Sequence, residues 1–179
     1  MSLWLGVDPG YVNYGASVAD PEKRVLLHAS GEFLTRDRWW WGRRIDEILT
    51  DLHARYGFDT MVMEEPQVIH DRGAGRRGRK TTVSPDSTIG LWGSALLTHE
   101  WCRRRGIRIA DPLRPLHLKH EAAALAGAKR DWKTEPSKAE MMGFAKTLYG
   151  PEFDNDHAAD AALAILVGYH SVHVRSRTA

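Results

Sequence analysis

Cysteine is almost absent from this 179-residue chain, in which Cys102 is the sole thiol. One thiol cannot form an internal disulfide, which excludes small disulfide-held scaffolds and is typical of a reducing compartment. No apolar run approaches the about 18 residues of a membrane helix. Asp8 interrupts the N-terminal apolar stretch too early for a secretory signal peptide. We therefore expect a soluble, cytoplasmic protein.

Net charge is also small, at +2, but the basic residues are clustered. A stretch without acids holds five of them: Arg72, Arg76, Arg77, Arg79 and Lys80. A second cluster comprises residues 103–105 and Arg108, all arginines. Such local density favours a polyanionic partner, although a solvated surface loop has the same composition.

The composition is that of a globular protein, with 42% apolar and 27% charged residues. At about 100–200 residues per domain, the length predicts one domain over residues 1–179. We expect a folded core over 1–170 and a flexible tail over 171–179.

Apolar periodicity predicts an alternation of strands and helices. Strands are predicted at 3–7, 13–18, 24–33, 60–63 and 107–110, and helices at 38–56, 89–105, 116–126, 137–148 and from 155 or 156 to 169. The first three strands suggest an antiparallel meander. The order predicts an α/β fold in which a mixed sheet is flanked by helices on both faces.

Acidic residues stand where several of these elements begin or end. Asp8 closes the first strand, Glu64 follows the fourth, and Asp156, His157 and Asp160 lie at the start of the last helix. The small residues of that helix would let it lie close to the sheet. We therefore expect its acidic end to meet the ends of the two strands.

A site of carboxylates and one imidazole favours Mg²⁺ or Mn²⁺ over zinc. Two such ions about 3.5–4 Å apart can clamp the attacking and leaving oxygens of a phosphodiester. Each residue also has a structural interpretation: Asp8 as a turn residue, Glu64 as a solvated acid, and Asp156 as a helix N-cap. Asp160 could stabilise the helix N-terminus, and His157 could be an ordinary surface or core histidine.

The three segments LWLGVDPG, MVMEEP and DHAADAALAIL together resemble the RuvC family of Holliday-junction resolvases, within the RNase H-like superfamily. The resemblance implies an RNase H-like fold with a five-stranded mixed sheet. It also implies two Mg²⁺ (or Mn²⁺) ions per site, held by Asp8, Glu64, His157 and Asp160. Glu65 is the alternative to Glu64 if the strand register slips by one residue, and Asp156 would cap the helix or support the site.

Two lysines near the family's active site are matched by Lys119 in RPLHLKH and Lys138 in PSKAEMM. We expect both to face phosphate in a catalytic role, although the segment between them is longer than the glycine-rich link usual in the family. The arginine-rich stretch replaces a region that often carries an aromatic wedge. This difference favours DNA binding through phosphate contacts by Arg72, Arg76, Arg77, Arg79 and Lys80.

A four-way junction has two equivalent cleavage points, so the resemblance implies a homodimer. We expect the helix over 84–105 to form the interface, with Gly90 and Gly93 allowing close approach. Helical spacing places Trp41 in the core, while Trp39 or Trp40 could contact a partner or a nucleobase. Trp92 is expected to be buried by packing within its helix.

The implied activity is a crossover junction endodeoxyribonuclease, which resolves branched DNA by metal-dependent hydrolysis in a bacterial or phage system. Two alternatives stay open. One is another RNase H-like nuclease that cuts RNA–DNA hybrids or flapped DNA, and the other is a junction-binding protein without catalysis.

Overall fold

Strands and helices alternate along the chain in a computed structural model that describes residues 2–10, 12–34, 40–66, 85–128, 133–150 and 153–175. The strands are β1 (Trp4–Asp8), β2 (Asn13–Asp20), β3 (Val25–Phe33), β4 (Thr60–Met63) and β5 (Arg108–Ile109). The helices are α1 (Trp41–Tyr56), α2 (Pro85–Arg104), α3 (Pro115–Leu125), α4 (Lys138–Tyr149) and α5 (Asp156–Arg175). None of the helices in these ranges is long and apolar enough to span a bilayer.

The strands form one mixed sheet in the order β3-β2-β1-β4-β5. β1 pairs antiparallel with β2 and β2 with β3, which gives the predicted meander. β4 lies parallel to β1 and to β5. Because β1, β4 and β5 run the same way, their carboxyl ends meet at one edge of the sheet. The predicted five-stranded α/β architecture is confirmed.

Alternation along β1 divides the core between the two faces of the sheet. Leu5 and Val7 pack with the buried residues of α1 and α2. The side chain of Trp4, one residue before Leu5, points to the opposite face and packs with α3, α4 and α5. Each face of the central strand is therefore covered by helices, as a buried strand in a three-layer fold requires.

Glycines on adjacent strands let α5 lie directly on the sheet. A Cβ at Gly6 of β1 would come 1.9 Å from the Ala161 carbonyl oxygen, and one at Gly15 of β2 would come 2.1 Å from that of His157. The Ser17 hydroxyl also donates a 3.0 Å hydrogen bond to the Ala158 carbonyl. No larger side chain fits at these contacts, so they set the depth and position of the first turns of α5.

The C-terminal helix is longer than predicted. α5 continues to Arg175, where the sequence predicted a helix end near residue 169 and a flexible tail from 171. The Tyr169 ring packs edge-on against Trp4 at 5.7 Å and lies 4.2 Å from the ring of His173, which extends the packed length of the helix. Residues 176–179 lie outside the described part, and the assignment of the whole chain to one domain stays a prediction.

The tryptophan predictions are met in part. Trp41 is buried, as its spacing predicts, whereas Trp40 is 53% exposed. The prediction for Trp92 is wrong, because this side chain is 41% exposed on the outer face of α2. Gly93, one residue on, faces the Trp41 ring instead, so helical geometry turns Trp92 outward. Trp39 lies outside the described residues.

We expect Gly6→Ala to lower the free energy of unfolding by about 1–3 kcal/mol, because the new methyl group overlaps the α5 backbone. Urea denaturation followed by circular dichroism measures the change. The matched control is Gly143→Ala, since Gly143 lies within α4 with nothing within 4 Å of its Cβ position. That control should stabilise by about 0.5–1 kcal/mol through helix propensity. Equal effects of the two substitutions would contradict the close approach of α5.

Candidate metal and phosphate site

The parallel pairing of β1 and β4 brings Asp8 and Glu64 to the same edge of the sheet. Val7 lies opposite Met63 in the register, and the Glu64 amide donates a 3.0 Å hydrogen bond to the Val7 carbonyl. Asp8 and Glu64 follow these residues and line one cavity of about 260 Å³. The two acids that end separate strands in the sequence are thus neighbours in the fold.

The first turn of α5 adds the remaining predicted groups. The Asn155 side chain accepts hydrogen bonds from the amides of His157 (2.8 Å) and Ala158 (3.2 Å), and so it caps the helix. This corrects the proposed capping role of Asp156. The close contact of α5 with β1 then places His157 Nδ1 2.5 Å from Asp8 Oδ2.

Burial and mutual repulsion act on two of the carboxyls. Burial first, and then the charges of Asp8 and Asp160, raise the pKa of Glu64 to about 8. Burial and the Asp8 charge raise the pKa of Asp160 to about 7. Asp160 Oδ1 is buried, and no residue in the described ranges donates a hydrogen bond to it. The site therefore concentrates negative charge without enough positive charge to balance it.

The pKa of His157 is raised as well, but for a histidine the protonated form is the charged one. Its hydrogen bond to Asp8 raises the pKa of His157, against the effect of burial. The protonated imidazolium is thus favoured as a partner for Asp8 in the absence of any other cation. A metal ligand must instead be neutral imidazole, so a cation bound by His157 would displace one proton, and one bound through Nδ1 would also displace this hydrogen bond.

The oxygen and nitrogen atoms of these residues are suitable ligands for a hard divalent cation, but the side chains are not yet arranged around one position. Among the described residues, no group of three or more His, Cys, Asp and Glu side chains is arranged to hold a metal ion as it stands. Two of the predicted ligands, Asp8 and His157, are instead hydrogen-bonded directly to each other. The carboxylates with raised pKa values and the unsatisfied Asp160 oxygen are nevertheless the groups that a divalent cation would stabilise.

Glu65 lies in the same cavity but differs from Glu64 in its surroundings. The amide of Glu65 donates a 2.8 Å hydrogen bond to the Leu113 carbonyl, which continues the pairing beyond β4. The charges of Asp8 and Asp160 act on the Glu64 carboxyl. This arrangement favours Glu64 over Glu65 as the ligand, in the register that the sequence predicts.

The two predicted lysines occupy different positions at the site. Lys119 of α3 lines the cavity with Asp8 and Glu64, and its Nζ lies 2.5 Å from a carboxylate oxygen of Glu135. Lys138, at the start of α4, is 78% exposed at its side chain and forms an ion pair with Asp156. That ion pair lowers the pKa of Asp156.

Glu135 is the member of the site that sequence reasoning missed. It belongs to the connection between α3 and α4 and lines the cavity beside Lys119. No periodicity or motif marks it, because its position depends on how the connection returns to the sheet. Asn155 could have been found, since an Asn directly before a helix is a common N-cap.

The basic clusters do not add positive charge to the described part of the site. The predicted DNA-binding residues Arg72, Arg76, Arg77, Arg79 and Lys80 lie outside the described residues. Arg103 and Arg104 both pair with Glu100, and the Arg105 guanidinium lies 3.9 Å from the centroid of the Trp101 ring. Arg108 opens β5, at the end of the sheet opposite the site.

The fold is shared with resolvases of known structure. Thermus thermophilus RuvC in complex with a Holliday junction substrate has a TM-score of 0.71 at 18% identity, covering 99% of this chain and 98% of that chain. A second Thermus thermophilus RuvC structure has a TM-score of 0.68 at 18% identity, covering 98% and 97%. The yeast mitochondrial Holliday junction resolvase Ydc2 has a TM-score of 0.61 at 13% identity, covering 99% and 84%.

At these identities the likeness concerns the fold, and the RuvC-type, RNase H-like fold implied by the sequence resemblance is confirmed. No family model matches the chain. No curated protein matches it either.

Without divalent cations, we expect Glu64→Gln to stabilise the protein at pH 8.5 by about 1–3 kcal/mol. The Glu64 pKa is about 8 in the folded state against an ordinary value of 4.5, so the folded state binds the proton more tightly. Stability attributable to this group therefore falls as pH rises from about 4.5 to about 8. Thermal unfolding across that range, in the presence of a chelator, measures the difference between variant and wild type.

The advantage of Glu64→Gln should disappear near pH 4.5, where Glu64 is largely protonated in the folded state. The control is Glu22→Gln, which removes one carboxylate from the exposed turn at the opposite end of the sheet. It should show no such pH dependence. A variant destabilised equally at every pH would contradict the raised pKa.

Proposed function

We propose that this protein is a structure-selective DNA endonuclease of the RuvC family, which resolves Holliday junctions by metal-dependent phosphodiester hydrolysis. One observation carries the proposal: the ends of β1, β4 and α5 bring Asp8, Glu64, His157 and Asp160 together at one sheet edge. They do so in a fold shared with resolvases. Only this combination joins nuclease-type ligands to a junction-binding architecture.

The proposed cofactor is Mg²⁺ or Mn²⁺, two ions per site, held by those four residues. When bound, these ions would activate water and stabilise the departing 3′ oxygen. The carboxylates of Asp8, Glu64 and Asp160 would hold and orient the cations, and His157 would add one neutral imidazole nitrogen. Lys119, in the same cavity, would face a phosphate oxygen. Lys138, whose side chain is 78% exposed, would contact the DNA backbone.

A homodimer is the proposed assembly, through the outer face of α2. Exposed apolar side chains recur along this face at helical spacing, namely Ile89, Trp92, Leu96 and Leu97. The reason differs from the one that the sequence suggested, because Gly90 is buried and Gly93 faces Trp41 within the same chain. A second copy covering the stripe would place two sites about a two-fold axis, which matches the symmetry of a junction.

We expect Asp8→Asn to lower junction cleavage by more than about 100-fold, since even the outer partners of metal ligands are worth about 10- to 100-fold. Junction binding should be unchanged or tighter, because the substitution removes a negative charge that would face phosphate. Cleavage of a labelled four-way junction in Mg²⁺ or Mn²⁺, and gel-shift binding in Ca²⁺, separate the two effects. Equal loss of both would indicate that Asp8 is a turn residue that maintains the fold.

The same assay on wild-type protein distinguishes the alternatives. Paired nicks in a four-way junction, with linear duplex left intact, support the proposal. Preferential cutting of an RNA–DNA hybrid or a flap would favour the related nuclease activity. Binding of the junction without cleavage in either metal would favour a non-catalytic junction-binding protein.

We expect Leu96→Glu to shift the protein from dimer to monomer, because Leu96 is 63% exposed at the middle of the α2 stripe. Light scattering coupled to gel filtration, at micromolar concentration, measures the mass. Val172→Glu places the same charge at an exposed apolar position on α5, away from the stripe, and should leave the mass unchanged. A wild-type protein that is already monomeric would contradict the proposed assembly.

A further inference from the structure

Glu135, in the connection between α3 and α4, forms an ion pair with Lys119, the lysine that lines the cavity described above. Lys119 Nζ and Glu135 Oε1 lie 2.5 Å apart, although the residues are 16 positions apart in the chain. The side chain of Lys119 is 24% exposed and that of Glu135 is 59% exposed. The pair therefore spans from the partly buried cavity wall, where Asp8 and Glu64 lie, to solvent.

Lys119 also acts on two of the proposed metal ligands. Burial and neighbouring carboxylates raise the pKa values of Glu64 and Asp160, and the Lys119 ammonium opposes that rise at both. Its positive charge thus reduces the negative electrostatic potential that would attract a divalent cation. If Lys119 had no partner of its own, its best partners in the cavity would be those same carboxylates.

Glu135 removes this competition without belonging to the metal-binding set. Its charge is close enough to compensate the ammonium, and it lies on a connection rather than on the strand ends that supply the ligands. The second lysine has a similar partner in Asp156, but the greater exposure of Lys138 makes solvent screening stronger there. Neutralising the charge of Lys119 therefore affects the proposed metal ligands more than neutralising the charge of Lys138.

On the basis of the proposed function, we infer that Glu135 is a positioning residue that holds Lys119 away from the metal ligands. In this role it favours divalent cation binding and weakens metal-free DNA binding, because it neutralises one positive charge beside the site. An arriving phosphate would compete with Glu135 for the ammonium. The site would therefore favour binding of the metal before Lys119 binds a phosphate of the DNA backbone.

Glu135→Gln tests this inference through two affinities that should change in opposite directions. We expect the Kd for Mn²⁺ alone, measured by calorimetry, to rise by about three- to tenfold, given the size of interactions between partly exposed charges. The Kd for a four-way junction in a chelator, measured by fluorescence anisotropy, should fall by about two- to fivefold. A merely structural role would weaken both, and no change in either would overturn the inference.

A double-mutant cycle shows whether Glu135 acts through Lys119. In a Lys119→Met background, Glu135→Gln should change the Mn²⁺ affinity by less than about twofold. A full-sized effect in that background would overturn the positioning role. Glu22→Gln is the charge-matched control on the opposite end of the sheet and should leave both affinities at the wild-type values.

The measurements also separate this inference from the proposed function. If the wild-type protein binds neither Mn²⁺ nor the junction, the proposed function fails, and the role of Glu135 fails with it. If the wild-type protein binds both ligands and Glu135→Gln behaves like it, the inference alone fails.

Discussion

The contact between α5 and the glycine backbones of the sheet is the constraint on which the candidate site depends. A carbonyl oxygen of α5 lies only 1.9 Å from where a Cβ of Gly6 would be, and the next strand repeats this arrangement at Gly15. This close approach of α5 to the sheet brings the first turn of the helix within hydrogen-bonding distance of the end of β1, as the Asp8–His157 bond shows. With a thicker layer of side chains between helix and sheet, the acids would stay on separate surfaces.

The same contact creates an electrostatic problem that the surrounding residues partly solve. Burial beside α5 raises the pKa values of Glu64 and Asp160. Asp8 is compensated by His157, while each of the two nearby lysines is held by a carboxylate outside the proposed ligand set. The remaining excess of negative charge is stable only with protons or with cations, and at neutral pH a divalent cation would meet that need. If the protein binds metal as proposed, its structural stability and its metal binding depend on the same carboxyl groups.

Sequence reasoning succeeded where residue type and periodicity carry the information, and failed where packing decides. The order of strands and helices along the chain and the placement of Asp8, Glu64 and Asp160 at element ends follow from local patterns. The burial of Trp92 was wrong, because a helix exposes whichever face lacks a neighbour, and no local signal shows that α1 covers the opposite face of α2. The capping role of Asp156 was also wrong, although here the local signal was present: α5 begins at Asp156, so Asn155 is the N-cap residue, and Asp156 pairs with Lys138.

The sequence by itself determined the α/β class, the ends of strands at which acids stand, and the resemblance to RuvC resolvases. These features are encoded locally, by alternation of apolar residues and by short motifs. Only the tertiary structure decided that Asp8 binds His157, that the charge of Asp160 acts on Glu64, and that Glu135 pairs with Lys119. Each of these contacts joins segments that are distant in the chain, and their geometry depends on the depth at which α5 packs and on the path of a connection without periodicity.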